Sequence, residues 1–252
     1  MSIMTFAAAV AACAAIAVPA NSTTWDMDYM EEMVSAAIVG DYEVGEAAAE
    51  DRNEKIERYG LDYPEIEFED LYLLSKIMYA EAGSYWLSDE WKMCVGEVVL
   101  NRVASPEFPN SVPEVLAQPG QYYGTGCSYF EKMQPNETCV RLAIRLLEGD
   151  RVLNDPSVLF QANFKQAGGV HTKLYDPQLG YSYFCYSIRP HLYDDVEKGE
   201  RADIPELIPN DDERFTDDPE SASPEYWGYV GLSNMEQYVY DLRRTQPSTP
   251  QE

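Results

Sequence analysis

"EFEDLYLLSKIMYAEAG", residues 67–83, carries a helix pattern that ends on a misplaced charge. Glu69 and Asp70 suit a first helical turn, and Gly83 suits the stop. Leu71, Leu74, Ile77 and Met78 recur at helical spacing and form one apolar stripe. Glu81 lies three residues past Met78 and seven past Leu74, so it shares that face. A carboxylate there either points into a cleft or pairs with a buried base. Two effects favour its protonated form. The last helical turn disfavours an anion by roughly 0.3–1 kcal/mol. The rings of Tyr79, Tyr85 and Trp86, close in sequence, predict apolar surroundings that raise a carboxyl pKa. A glutamic acid kept protonated near neutral pH is what general-acid cleavage of a glycosidic bond requires. Spacing alone leaves the plainer reading open: a satisfied carboxylate at a helix end.

Outward from this stretch, residues 88–104 read as a second helix. Ser88 caps it, Asp89 and Glu90 fill its first turn, and Trp91, Cys94, Val95, Val98 and Val99 form its buried face. Glu97 is either a solvated residue of this helix or a second acid near the cleft. Asn101 and Arg102 are expected to end the helix and brace the fold. Prolines in "NRVASPEFPN" stop it. Residues 111–134, with "AQPGQYYGTGCSYF", read as a tight-turned loop region lined by aromatic rings. "PNETCVRLAIRLLE", residues 135–148, reads as a third helix. "SVLFQANF" and "YSYFCYS" read as strands joined through "QAGGVHTKLYDPQLG". Gln118, Gln121, Tyr122 and Tyr123 either line a glycan groove, because amides and stacking faces suit sugars, or form an ordinary turn with packed tyrosines. Gln161 and Asn163 alternate with apolar residues and face either the cleft or solvent.

The chain has 252 residues and a formal net charge of -26. That argues against nucleic acid as a partner, since phosphate binding needs clustered Lys and Arg. Residues 69–193 hold 10 Lys and Arg against 14 Asp and Glu, and the rest of the chain holds 8 against 30. A nearly balanced core therefore lies between acidic flanks, which suit solubility or hold the chain off an anionic surface. Residues 1–20 are small and apolar, and Val18-Pro19-Ala20 resembles a signal-peptidase site, which predicts export. A basic n-region is missing, and an N-terminal helix or anchor is the alternative. Residues 21–65 form an acidic lead-in whose "EAAAEDRNEKIERYG" predicts a polar, solvated helix ending at Gly60. Residues 66–193 form the expected catalytic domain, and 194–252 an acidic, Pro-rich tail. Five cysteines are present. Signal removal leaves four, which allow three pairings. Cys94 falls on an apolar stripe and predicts a buried thiol. No CxxC spacing occurs, which argues against zinc, and no cofactor is expected. His171 and His191 sit in no motif that a cysteine peptidase would need.

"MYAEAGSYWLSDEWKMCVGEVVLNRVASPEFPNSVPEVLAQPGQYY" resembles the cell wall hydrolase family typified by the spore cortex-lytic enzymes SleB and CwlJ. The shared pattern is Tyr79, Glu81 and Ala82, then Val99 to Val103, then Pro109-Asn110, then Gln118 to Tyr122. "VLFQANF" and "LGYSYFCYS" resemble the family's closing strands. The resemblance covers about residues 69–187. It implies an α+β, lysozyme-like helical domain with a small antiparallel β element. It also implies a monomeric, secreted or wall-associated enzyme acting on peptidoglycan glycan strands. Glu81 would be the catalytic acid of a lytic transglycosylase. Tyr79, Gln118, Gln121, Tyr122, Gln161, Asn163 and Tyr183 would contact substrate. A muramidase-type hydrolase and a non-catalytic wall binder are the alternatives. Ser182 departs from the pattern, standing where the family often carries a histidine, and Glu97 stands where the family helix is apolar.

Overall fold

A computed structural model describes residues 27–119, 121–122 and 128–199. The expected signal peptide, Tyr123, Cys127 and the tail from residue 200 onward lie outside the described residues. Helix α1 spans Met27–Val39, α2 Tyr42–Tyr59, α3 Phe68–Ala82, α4 Asp89–Ala104, α5 Val112–Ala117, α6 Ser128–Lys132 and α7 Glu137–Leu147. Strands β1 (Val158–Ala162), β2 (Val170–Asp176) and β3 (Gly180–Tyr186) follow, then a 3-10 turn at Pro190–Leu192. The architecture is mixed α+β, with a three-stranded antiparallel sheet in the order β1-β3-β2.

Local chemistry sets the helix starts. Ser88 Oγ accepts from Trp91 N–H at 3.2 Å to cap α4, and Asn136 Oδ1 accepts from Cys139 N–H at 2.8 Å to cap α7. Gly60 ends α2 in the left-handed conformation, φ +60°, which glycine adopts without a Cβ penalty.

Two expectations about the loops are corrected. Residues 111–134 hold two short helices, α5 and α6. The first is capped by Ser111 and carries Pro113 in its first turn, where no helical N–H is needed. The connection between the two expected strands contains a third, β2. Asp176 Oδ1 accepts from the N–H groups of Gln178 and Leu179, both at 2.9 Å, and turns the chain into β3. The lead-in helix α2 is also not fully solvated. Ala48, Ala49, Ile56 and Arg52 are buried on one side of it. Arg52 donates to Pro64 O at 2.9 Å and to Glu148 Oε1 at 3.1 Å. At Gly45 a Cβ would sit 2.1 Å from the Phe68 ring, so only glycine lets that ring approach α2.

The core gathers around α3, whose neighbours include α4, α7, α5 and α2. Leu71, Leu74, Ile77 and Met78, the stripe seen in the sequence, are fully buried. Cys94, Cys139 and Cys185 are buried free thiols, so none of the three enters the pairings that four cysteines would allow.

The end of α4 is tied to the free edge of β1. Asn101 Nδ2 donates to Asp155 O at 3.1 Å and Val158 O at 3.0 Å. Arg102 Nε donates to Leu159 O at 2.7 Å. An edge strand presents unpaired backbone acceptors, and these two side chains satisfy them where a neighbouring strand would otherwise be needed. The expected bracing role of Asn101 and Arg102 is what the hydrogen bonds show.

Candidate active site

Glu81 sits in the last turn of α3, which ends at Ala82. Its side chain keeps access to solvent, yet protein crowds the carboxyl closely enough to raise its pKa. The residue as a whole is exposed, so the crowding acts on the carboxyl from the protein side only. Burial is the larger influence, and the positive charge of Arg102 pulls in the opposite direction.

Arg102 is buried in an aromatic cage. Its guanidinium carbon lies 4.9 Å from the ring centroids of Phe108 and Tyr122 and 5.7 Å from that of Phe160. Cation–π attraction favours this placement when water is excluded. Nη1 is buried and has no hydrogen-bond partner among the described residues. Burial lowers the Arg102 pKa, while Tyr122 and Glu81 raise it. A guanidinium stays charged in proteins, so Arg102 is a fixed cation whose charge acts on Glu81. Burial raises the Tyr122 phenol pKa first, with Arg102 lowering it and Glu81 raising it further. Glu81, Arg102 and Tyr122 thus form one electrostatic unit.

The turn after α5 brings Tyr122 to this unit. Gln121 N–H donates to Gln118 O at 3.3 Å, which closes the turn. Gln118 Oε1 is buried without a partner among the described residues. Tyr79 packs against the core, one helical turn before the end of α3. A Cβ at Gly83 would lie 2.4 Å from its ring, so the absent side chain is what lets Tyr79 fold over the helix end.

The remaining expectations divide. Tyr85 and Trp86 do not enclose Glu81. Tyr85 is 92 % exposed and Trp86 42 %, and they meet each other edge to face at 5.1 Å. The groups that act on Glu81 electrostatically are Arg102 of α4 and Tyr122 of the turn after α5. Asn163 falls one residue past β1 and is exposed. Gln161 pairs with the fully buried Phe184, whereas Ala162 pairs with Tyr183. Side chains alternate faces along a strand, so Gln161 and Tyr183 lie on opposite faces of the sheet. Ser182 shares the face of Phe184 and Leu174 by the same rule.

Glu97 fits neither expectation held for it. It is buried, and its carboxylate accepts from three backbone N–H groups, those of Val152 and Leu153 at Oε2 (2.6 and 2.8 Å) and Asn154 at Oε1 (2.8 Å). Burial pushes its pKa up, and those amides with Arg151 pull it back part of the way. It therefore anchors the segment before β1. Sequence reasoning also missed the second role of Arg102 beside Glu81, because that role depends on the 118–122 turn closing over it.

Residues 88–177 match the family described as Cell Wall Hydrolase. They form a cell wall hydrolase domain. Arg102, Gln118, Gln121, Tyr122, Gln161 and Asn163 lie inside the matched segment, Tyr79 and Glu81 precede it, and Tyr183 follows it. The cell wall hydrolase segment includes α4, α5 and α7, the elements that carry the bracing of β1 and the cage around Arg102. No curated protein and no solved structure matches the chain.

Proposed function

We propose that the chain cleaves the glycosidic bond between MurNAc and GlcNAc in peptidoglycan, with Glu81 as general acid, as a lytic transglycosylase acting at the cell wall. The observation that carries this reading is the Glu81 carboxyl, solvent-accessible yet raised in pKa, with the charge of the buried cation Arg102 acting on it. Protonated Glu81 gives its proton to the bridging oxygen as the bond to C1 of the muramic sugar breaks. The carboxylate left behind is stabilised by Arg102. It then takes the proton of the C6 hydroxyl of the same sugar as that oxygen bonds to C1. The product is a 1,6-anhydro end, and Glu81 is again protonated. Water is not consumed and one acid suffices.

A hydrolase would need a second carboxylate, roughly 6.5–9.5 Å away for inversion or roughly 5–5.5 Å for retention. Two acids of the neighbouring segment are occupied. Glu97 is held by three amides. Glu107 accepts from Ser187 Oγ and from Tyr193 OH, with Arg189 3.6 Å away. Tyr79 and Gln121 are proposed to contact the sugars around the acid, while the buried Tyr122 and the half-buried Gln118 shape the turn behind them.

The test is the mass of the soluble fragments that the full chain releases from purified peptidoglycan. Fragments with anhydro-muramic ends, absent with Glu81→Gln, are the expected result. Reducing ends would instead show hydrolysis, and binding without release would show a wall-binding protein.

A further inference from the structure

Strands β2 and β3 carry a row of tyrosines on one face of the sheet. Tyr175 and Tyr181 are cross-strand partners, with ring centroids 4.9 Å apart. Tyr181 and Tyr183 are two residues apart, so they share a face, and their rings stack at 5.7 Å with an interplanar angle of 30°. Tyr175 and Tyr181 are each 44 % exposed. The opposite face of the same strands is different: Thr172, Leu174 and Phe184 on it are fully buried. Core packing therefore explains that face; on the other, Cys185 is buried at the inner end while the rings of Tyr175, Tyr181 and Tyr183 keep partial exposure beyond what their cross-strand pairing requires.

The row is continuous with the site. Tyr183 pairs with Ala162 on β1, and Phe160 lies two residues earlier on the same face. The Phe160 ring is one wall of the cage around Arg102, whose charge acts on Glu81. Lys173 pairs with Tyr183 from the other side and supplies a donor along the row. A flat series of phenol rings with a cation and hydroxyl groups at its margin suits the apolar faces and hydroxyl rims of sugars.

We propose that Tyr175, Tyr181 and Tyr183 form an extended glycan-binding platform that holds a peptidoglycan strand several sugars away from the bond cut at Glu81. The platform rests on the functional reading above, and it assigns the sheet a role in gripping long strands rather than in chemistry.

Binding is measured with the full chain carrying Glu81→Gln, so that strands stay intact. The probe is peptidoglycan glycan strands stripped of stem peptides. Adding Tyr175→Ala and Tyr181→Ala weakens binding roughly tenfold, corresponding to about 1.4 kcal/mol. Leu179→Ala, an exposed apolar change in the adjoining turn, leaves it unaltered. Circular dichroism and the thermal midpoint confirm that each variant is folded. Equal binding by the tyrosine variant and its parent overturns the platform and leaves the role of Glu81 standing. A defect seen only on strands that retain their peptides also overturns it, because the occupant is then the peptide. Failure of the parent itself to bind stripped strands overturns both readings.

Discussion

Glu81 and Glu97 stand on adjacent packed helices, and burial raises the pKa of both. Their surroundings differ in what they offer the carboxylate. Glu97 meets three backbone N–H groups and no solvent, so its oxygens are fully used. Glu81 meets one cation and an opening to solvent. A carboxylate surrounded by amides is a rivet. A carboxyl with an unfilled side can exchange a proton with a ligand. Residue type and burial alone do not separate the two roles; the supply of donors does.

The largest expected effect breaks the rivet. Glu97→Ala leaves three amides buried without acceptors, each costing about 1–3 kcal/mol. Urea unfolding is expected to show a loss of about 3 kcal/mol or more, and a loss below about 1 kcal/mol would mean that the amides find other partners. Gly83→Ala comes next. The new methyl meets the Tyr79 ring and the Tyr79 carbonyl, which costs about 1–3 kcal/mol by overpacking. Thermal unfolding checks it, with Tyr79→Ala in the same chain expected to recover part of the loss.

A third prediction concerns pH. The folded-state pKa of Glu81 lies above its ordinary value, so the native state holds that proton more tightly than the unfolded chain. Its contribution to stability is present below the ordinary value and is lost as pH rises through the raised one. Activity needs the same proton and falls over the same window. Arg102→Met removes the cation that holds the Glu81 pKa down, so the alkaline limb of kcat/KM moves to higher pH. An unmoved limb would show that another group sets it. The smallest effect is expected at Tyr85. Tyr85→Ala changes stability by less than about 0.5 kcal/mol and leaves the alkaline limb in place, because Tyr85 points to solvent and does not enclose the acid.

Much of this was legible in the sequence because it is local. The stripe ending at Glu81, the Ser88 cap and the Gly60 stop all follow from spacing and from residues that touch their own neighbours. β2 was legible too, and was hidden by its flanks. Val170, Thr172 and Leu174 alternate with His171, Lys173 and Tyr175, but Gly168-Gly169 before them and Asp176-Pro177 after them read as one long loop. The role of Glu97 left no such trace. Its partners are main-chain amides at residues 152–154, and an amide is the same in every residue type but proline. The position of Arg102 beside Glu81 was equally silent, since it requires α3, α4 and the 118–122 turn to meet in space.

The most direct test of the contrast measures peptidoglycan cleavage by Glu81→Gln and Glu97→Gln at equal concentrations of folded protein. The account predicts that Glu81→Gln folds like the parent and loses a factor of about 10²–10⁴ in rate, whereas Glu97→Gln is less stable yet cleaves at close to the parent rate per folded molecule. A folded but inactive Glu97→Gln beside an active Glu81→Gln would contradict it.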